Sequence, residues 1–335
     1  MSMMKRLTGA VAAVALSAGA AVAEPAVIFD LGGKFDKSFN EAAFNGAERW
    51  AQETGGSYLE IELSSEAQRE QALRRFAERG ANPIVTTGFA MADPVAQVSP
   101  DYPDIKFVNI DGFFPNLDEL PNVLAISFAE HEGSYLVGML AAKKSESGTI
   151  GFVGGMDVPL IRHFACGYAQ GAKAVNPDIN IIPNMTGTTP AAWNDPVKGG
   201  ELAKAQVGQG ADVIYAAAGG TGVGVLQAAA DEGILSIGVD SNQNHLHPGS
   251  VLTSMLKRVD VAVYNALTAG ADLETGQLSL SLADDGVGYA VDENNEALLT
   301  EEMISEVEDA KAAIISGDIE VTSYYANDSC PVLTF

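Results

Sequence analysis

The sequence is poor in the residues that build metal, redox and nucleophilic sites. It has two cysteines and four histidines among 335 residues, with no CxxC pair and no Cys/His cluster. His245 and His247 are close in sequence, but the adjoining Pro248-Gly249 indicates a loop rather than a metal site. No G-x-S-x-G elbow is present either. The residues therefore favour a protein without a cofactor, a metal or recognisable catalytic machinery.

Positive charge is also scarce. Lysine and arginine number 19 against 44 aspartates and glutamates, and the formal net charge is −25. A strongly acidic surface repels nucleic acid and anionic lipid, so neither is expected as a partner. The simplest role of this acidity is solubility.

Long apolar runs are absent beyond the N-terminus. Lys5-Arg6 precedes an apolar run, Leu7 to Ala20, and Ala21-Val22-Ala23 is an A-x-A cleavage signal. The run is too short to span a bilayer, so residues 1–23 are predicted to be a cleavable signal peptide. No cysteine follows the cleavage site, which argues against a lipid anchor. We expect a mature chain that is exported to the periplasm and begins at Glu24.

The two cysteines leave their pairing open. Export permits a disulfide between Cys166 and Cys330. However, Cys166 falls within a predicted helix and Cys330 lies in the C-terminal tail. These positions favour two separate cysteines over a bridge.

Residues 27–46 form the stretch around which the rest is organised. An apolar strand at 27–29 runs into Gly32-Gly33, and Ser38 with Glu41 predicts a capping box at the start of a helix. In open α/β sheets such a loop lies at the carboxyl end of a strand, where ligands bind. This loop carries Asp36, Phe39 and Asn40. The simpler interpretation is a capped loop with solvated charges, and the alternative is a binding loop.

Strands and helices alternate along the whole chain, which predicts parallel sheets with helices on both faces. Among these elements are a strand at 179–182 and a helix that starts at Val225. The pattern restarts after Phe128, and Gly154-Gly155 repeats the opening strand-glycine pattern at an offset of 122 residues from Gly32-Gly33. We therefore predict two similar doubly wound parallel-sheet lobes, joined by a hinge with a cleft between them. Lobe 1 comprises 24–128 plus 256–284, and lobe 2 comprises 129–255 plus 285–335.

Polar groups follow several predicted strands directly. Asp111, Asp240 and Lys257 each come after an apolar strand, and together they could hold a ligand with several hydroxyl groups. The loop that begins at Gly219-Gly220 lacks the spacing of dinucleotide and phosphate loops, so it is either a tight turn or a row of amides facing a polar ligand. Asp111 and Asp240 could also form an acid–base pair.

Several ordered motifs resemble one known family. DKSFNEAAFNG, EHEGSYLVGMLAA, IGFVGG, AAGGTG, GVDSNQ and TSMLKRVDVAVYNAL are similar to the basic-membrane-protein family, the PnrA-like substrate-binding proteins of ABC importers. Characterised members bind purine nucleosides. The resemblance implies the type I periplasmic-binding fold, in which two α/β lobes are joined by three crossings. It also implies a membrane permease as the partner, and we expect the protein to act as a monomer.

The resemblance also implies roles for individual residues. Phe39 would stack on one face of a purine and Tyr215 on the other, with Phe164 as the alternative second ring. Asp36 and Asn40 would read polar edges of the base. The ribose would be held by a third set, namely Asp240, Lys257, the amides of Gly219 and Gly220, and, as a further candidate, Asp111.

Two other functions stay open from the sequence. A pentose or another sugar-like ligand would use the same polar groups. A nucleoside hydrolase on a related α/β scaffold is the alternative from a different class.

Overall fold

The computed structural model of the chain describes residues 23–335. The predicted signal peptide therefore lies outside the described residues, except for Ala23. None of the described helices is both long and apolar enough to cross a bilayer.

Twelve strands form two six-stranded sheets. Their bounds are β1 (Ala26–Phe29), β2 (Leu59–Glu62), β3 (Ile84–Thr87), β4 (Phe107–Ile110), β5 (Val123–Phe128), β6 (Thr149–Met156), β7 (Asn180–Gly187), β8 (Val213–Ala217), β9 (Leu235–Asp240), β10 (Val251–Lys257), β11 (Gly276–Leu280) and β12 (Val287–Tyr289). The orders are β11-β5-β4-β3-β1-β2 and β12-β10-β9-β8-β6-β7. All strand pairs are parallel except β10 with β12, and the two-lobe parallel-sheet prediction is confirmed.

Nine α-helices cover the sheets in the described residues. They are α1 (Phe39–Thr54), α2 (Gln68–Glu78), α3 (Ala92–Val98), α4 (Glu130–Lys144), α5 (Pro159–Val175), α6 (Pro196–Val207), α7 (Gly220–Asp231), α8 (Val259–Ala269) and α9 (Glu301–Ser316). Because helices lie on both faces, strands such as β1 and β4 are buried at every residue, which explains their continuous apolar sequences.

The chain passes between the two sheets three times. It leaves the first sheet after β5, returns after β10, and leaves again between β11 and β12. The predicted second boundary, between 255 and 256, falls inside β10. Leu256 still pairs with Asp240 of β9, and Lys257 pairs with Val287 of β12, so the strand continues to Lys257.

Three local predictions were wrong. Gly154-Gly155 belongs to β6 rather than to a turn, since both residues continue a strand whose neighbours pair with it. The strand predicted at 179–182 continues to Gly187. It lies at the edge of its sheet, where Pro183 is tolerated without a backbone N–H. α7 begins at Gly220, before the predicted start at Val225.

The cysteine expectation was also wrong. Cys166 of α5 and Cys330 of the C-terminal tail form a disulfide. Further contacts fix the same tail to α5: the Gln170 side chain donates to the Thr322 carbonyl and accepts from its N–H, at 2.9 Å each. The tail therefore packs on α5 instead of running free, which brings two cysteines 164 positions apart into contact.

Candidate ligand-binding cleft

A cavity of about 400 Å³ lies between the two lobes. Both sheets present the carboxyl ends of their strands to it, so loops that follow β1, β3 and β4 line one wall and loops that follow β6 to β9 line the other. This is where ligands bind in open α/β sheets, and the volume lies in the range of small-molecule sites.

At one end of the cavity, a buried lysine joins the lobes. Lys257 Nζ lies 2.6 Å from Asp111 Oδ2 and 2.8 Å from Glu130 Oε1. It also lies 5.1–5.5 Å from the ring centroids of Phe39, Phe128 and Phe164. Burial by itself lowers the pKa of Lys257, but the neighbouring carboxylates outweigh it and the net shift is upward. The lysine is thus a permanently charged donor. Glu130 was missed from the sequence because Ala129 separates it from β5 and it begins α4.

Asp240 faces Asp111 from the other lobe. Its carboxylate accepts a hydrogen bond from the Ser38 hydroxyl, so it also contacts the start of α1. Burial raises the pKa of Asp111 and of Asp240 to about 6 each, although Lys257 opposes both shifts. Both aspartates have left-handed backbone conformations, with φ of 71° and 62°. This conformation is tolerated best by aspartate and asparagine among residues with a side chain.

Asp36 lines the cavity and caps α1. Its Oδ1 accepts from the backbone N–H groups of Ser38 (2.8 Å) and Glu41 (3.1 Å), and its Oδ2 accepts from Asn40 (3.1 Å). The predicted Ser38–Glu41 capping box is therefore wrong, since Ser38 bonds to Asp240 and Glu41 accepts from Lys37 N–H. Burial raises the pKa of Asp36 to about 7, despite the three backbone bonds.

Asn40 uses its side chain within the protein. Its amide donates to the carbonyls of Asp30 and Gly33, at 3.2 Å each, and its oxygen accepts from Thr87 at 2.8 Å. Both amide hydrogens are engaged, so in this structure Asn40 fixes the loop after β1 rather than offering donors to a base.

The predicted glycines take different positions. Gly219 lines the cavity with a φ of 56°, directly before α7. Gly220 is the first residue of α7, and it lies beside the Trp193 carbonyl and Asp36 rather than in the cavity wall.

Tyr215 does not face the cavity, which contradicts its predicted stacking role. It is fully buried among Phe152 and Tyr168, and its hydroxyl lies 3.4 Å from Ser134 Oγ. In β8 the side chains alternate between the two faces of the sheet, and that of Tyr215 points into the core. The alternative ring, Phe164 of α5, does line the cavity.

Two further rings in the cavity wall were missed. Phe89 follows β3, and Trp193 ends a short 3-10 helix after β7. Their centroids are 6.5 Å apart with an interplanar angle of 63°, and they reach the cavity from opposite lobes. The indole rests on Gly155, where a methyl group would lie 2.3 Å from the ring. Because β7 was predicted to end five residues too early, the sequence analysis did not predict that the segment with Trp193 lines the cleft.

An ion pair that was also missed lies in the wall formed by lobe 1. Arg69 of α2 donates from Nε to Asp30 Oδ1 at 2.9 Å and from Nη2 to Asp30 Oδ2 at 3.0 Å. Both side chains are about one-tenth exposed and line the cavity. Asp30 directly follows β1, as Asp111 follows β4, but no local sequence pattern indicates that Arg69 is its partner.

Among residues 23–335 there is no group of three His, Cys, Asp or Glu residues arranged to hold a metal ion. His245 lies in a short 3-10 helix after β9, and its ring nitrogen is 3.1 Å from the Asn242 carbonyl. The side chains that line the cavity offer hydrogen bonding, charge and aromatic contact to a ligand.

Comparisons with known proteins agree on one family. The model of the Bmp family, described as ABC transporter substrate-binding protein PnrA-like, matches residues 23–324. The chain is 30% identical over 322 residues to the ABC transporter nucleoside-binding protein BmpA of Lactococcus lactis, covering 89% of this chain and 88% of that protein. It is 32% identical over 309 residues to Basic membrane protein A of Borreliella afzelii, covering 89% and 91%.

A solved structure agrees with the described fold over most of its length. The crystal structure of an ABC transporter solute-binding protein from Aeropyrum pernix K1 superposes with a TM-score of 0.82. The two chains are 30% identical, and the match covers 91% of this chain and 95% of that chain.

Proposed function

This chain belongs to the Bmp family of PnrA-like ABC transporter substrate-binding proteins, and we propose that it binds a purine nucleoside between its two lobes. Its fold is the type I periplasmic-binding fold. In the proposed function, the loaded protein delivers the nucleoside to the membrane permease of an importer. The leader sequence supports export to the periplasm.

One observation carries the proposal: the cavity has a charged cluster at one end and aromatic rings from both lobes along its walls up to the other end. Lys257, Asp111 and Asp240 form the polar end. A ribose offers vicinal hydroxyls that can donate to the carboxylates and accept from the lysine. Phe39 lies beside this end, with its centroid 5.2 Å from Lys257 Nζ.

Three rings are available for the base. Phe39 enters from lobe 1, whereas Phe164 and Trp193 enter from lobe 2. Rings from opposite walls can contact the two faces of a planar base, and each such contact is worth about 1–3 kcal/mol. A nucleoside combines a hydroxylated ring with a planar base, and it therefore matches both ends of the cavity.

Two alternatives make different use of the same cavity. A sugar-like ligand would satisfy the polar end but would leave the Phe89–Trp193 pair without a planar partner. A nucleoside hydrolase would need a general base, and the Asp111–Asp240 pair could supply one. A sugar-like ligand therefore needs only one end of the cavity, whereas a hydrolase would bind the same nucleoside and differs from the proposal by its turnover.

Mass spectrometry of small molecules released from the purified protein by denaturation tests the proposal. We expect a purine nucleoside at a stoichiometric amount. Recovery of a free sugar would contradict it. In a parallel assay, protein incubated with inosine should release no hypoxanthine, and turnover to the free base would favour the hydrolase.

A further inference from the structure

The Arg69–Asp30 pair in the lobe 1 wall has an unusual feature: it leaves one edge of the guanidinium free. Arginine has five N–H donors in a planar fork. Asp30 occupies the edge formed by Nε and Nη2, at 2.9 and 3.0 Å. Glu66 accepts one further bond from Nη1 at 3.4 Å.

Two N–H groups of Arg69 remain without a partner among residues 23–335. One is on Nη2 and lies on the edge between the two terminal nitrogens, because Asp30 takes the other Nη2 hydrogen. The second is on Nη1, and it completes this edge when the solvent-exposed Glu66 accepts the Nη1 hydrogen that points away from it. The Arg69 side chain is only 10% exposed and lines the cavity. Asp30 accepts from Arg69 with both carboxylate oxygens, so the remaining N–H groups of Arg69 are the donors that this wall offers to the cavity. Glu66 also lines the cavity, but its side chain is mostly exposed to solvent.

The position of Arg69 along the cavity follows from the sheet. Asp30 ends β1 and Asp111 ends β4, and β3 lies between these two strands. Neighbouring strands are about 4.8 Å apart, so the two strand ends are separated by about 10 Å. This distance is comparable with the length of a purine nucleoside. A ribose held at Lys257 and Asp111 would therefore place its base near Asp30 and Arg69.

The aromatic pair lies at the same end. Gly88, which precedes Phe89, packs against Asp30: a methyl group on Gly88 would lie 3.6 Å from Asp30 Oδ2. Trp193 approaches Gly32, two residues after Asp30, where a methyl group would lie 3.3 Å from the Trp193 Cβ. Asp30 and its partner Arg69 thus lie at the same end of the cavity as Phe89 and Trp193.

We propose that Arg69 is a specificity-determining residue and that the cleft selects 6-oxopurine nucleosides over 6-aminopurine nucleosides. This inference rests on the proposed nucleoside function. Hypoxanthine and guanine present two adjacent acceptors, O6 and N7, which match two parallel N–H groups of an arginine. Adenine presents N7 beside an amino group, which would place a donor against a donor.

Calorimetric titration of the ligand-free wild-type protein with inosine, guanosine and adenosine tests the inference first. One bidentate arginine contact is worth about 5- to 150-fold in discrimination, so we expect inosine and guanosine to bind tighter than adenosine by a ratio in this range. Purine riboside, which lacks O6 and the N1 hydrogen of inosine but keeps N7, should also bind weakly. Equal affinities for inosine and adenosine would overturn the role of Arg69 and would leave the proposed function intact. Binding of none of these nucleosides would overturn both.

Variants then assign the selectivity to Arg69. In Arg69→Met the inosine-to-adenosine ratio should fall to near one. This change leaves the buried Asp30 without its ion-pair partner, which can destabilise the fold. The double variant Asp30→Asn/Arg69→Met removes both charges and therefore tests selectivity without an unpaired buried charge. Arg74→Met is the matched control, since Arg74 lies on the same helix and pairs with the surface residues Glu70 and Asp101. A ratio unchanged in both the single and the double variant would contradict the inference.

Discussion

Lys257 Nζ lies 2.6 Å from Asp111 Oδ2, although the two residues are 146 positions apart and stand at strand ends of different lobes. Glu130, at the start of α4, completes the cluster from the first crossing between the sheets. A buried cation shared by these carboxylates connects the lobes at the end of the cleft next to the crossings. The cluster therefore has two consequences, one for stability and one for ligand binding.

Lys257→Met should destabilise the protein strongly. Removing one partner of a buried ion pair leaves uncompensated charge and typically costs about 3–5 kcal/mol. The free energy of unfolding, measured by urea denaturation, should fall by about this amount. Lys311→Met is the control, because Lys311 pairs at 3.8 Å with the exposed Asp285 and such surface pairs are worth less than about 1 kcal/mol. Similar losses in both variants would contradict the account.

Asp36 should make the stability of the ligand-free protein depend on pH. Its pKa rises from 3.8 to about 7 on folding, so between these values the folded state holds a proton that the unfolded state has released. The stabilisation is complete below pH 4 and is lost as the pH rises through 7. The difference in unfolding free energy between wild type and Asp36→Asn should therefore fall by about 1.4 kcal/mol per pH unit between pH 4.5 and 6.5. Parallel pH profiles for the two proteins would show that the carboxyl is not perturbed.

The Cys166–Cys330 disulfide should stabilise the fold. It closes a loop across 164 positions, and native disulfides typically contribute about 2–4 kcal/mol. Urea denaturation with and without reductant should show a loss in this range. The double variant Cys166→Ser/Cys330→Ser should be equally destabilised and insensitive to reductant. A wild-type protein whose midpoint does not move on full reduction would contradict this prediction.

Trp193 should report ligand binding and contribute to it. The chain has two tryptophans, and of these Trp193 lines the cavity whereas Trp50 lies on α1. In Trp50→Phe, the remaining fluorescence should change on addition of inosine. Trp193→Ala should weaken binding by about 5- to 150-fold, the equivalent of one stacking contact. Unchanged affinity in Trp193→Ala would remove this ring from the site.

Much of the fold could be predicted from sequence because parallel strands buried on both faces are nearly continuous apolar runs. β1, β4, β8 and β9 are of this kind, and the aspartates at two of their ends, Asp111 directly after β4 and Asp240 as the last residue of β9, do line the cleft. β7 could not be delimited, because Pro183 and Asn184 interrupt its pattern and its position at the sheet edge tolerates them. The position of Trp193 depends on where β7 ends, so it could not be predicted either.

The direction of a side chain was harder to predict than its place along the chain. Tyr215 lies in the predicted strand, yet its ring enters the core because strand side chains alternate between faces. Ser38 stands at the predicted start of α1, yet it bonds across the cleft to Asp240 while Asp36 caps the helix. Such choices depend on contacts between residues that are distant in sequence, 81 positions for Ser134 with Tyr215 and 202 for Ser38 with Asp240, which local patterns do not contain.

The most direct test of the account is a thermodynamic cycle between Asp240 and the ribose hydroxyls. Calorimetry should be carried out on wild type and Asp240→Ala, each with inosine and with 2′,3′-dideoxyinosine. Asp178→Ala serves as the control, since Asp178 precedes β7 at the edge of the sheet opposite the cleft. Leaving a buried carboxylate without hydrogen-bond partners costs more free energy than an ordinary hydrogen bond contributes. We therefore predict that the dideoxy analogue binds wild type much more weakly than inosine, whereas Asp240→Ala binds both poorly and nearly equally. Zero coupling between Asp240 and the hydroxyls would contradict the claim that this cleft holds a nucleoside by its ribose.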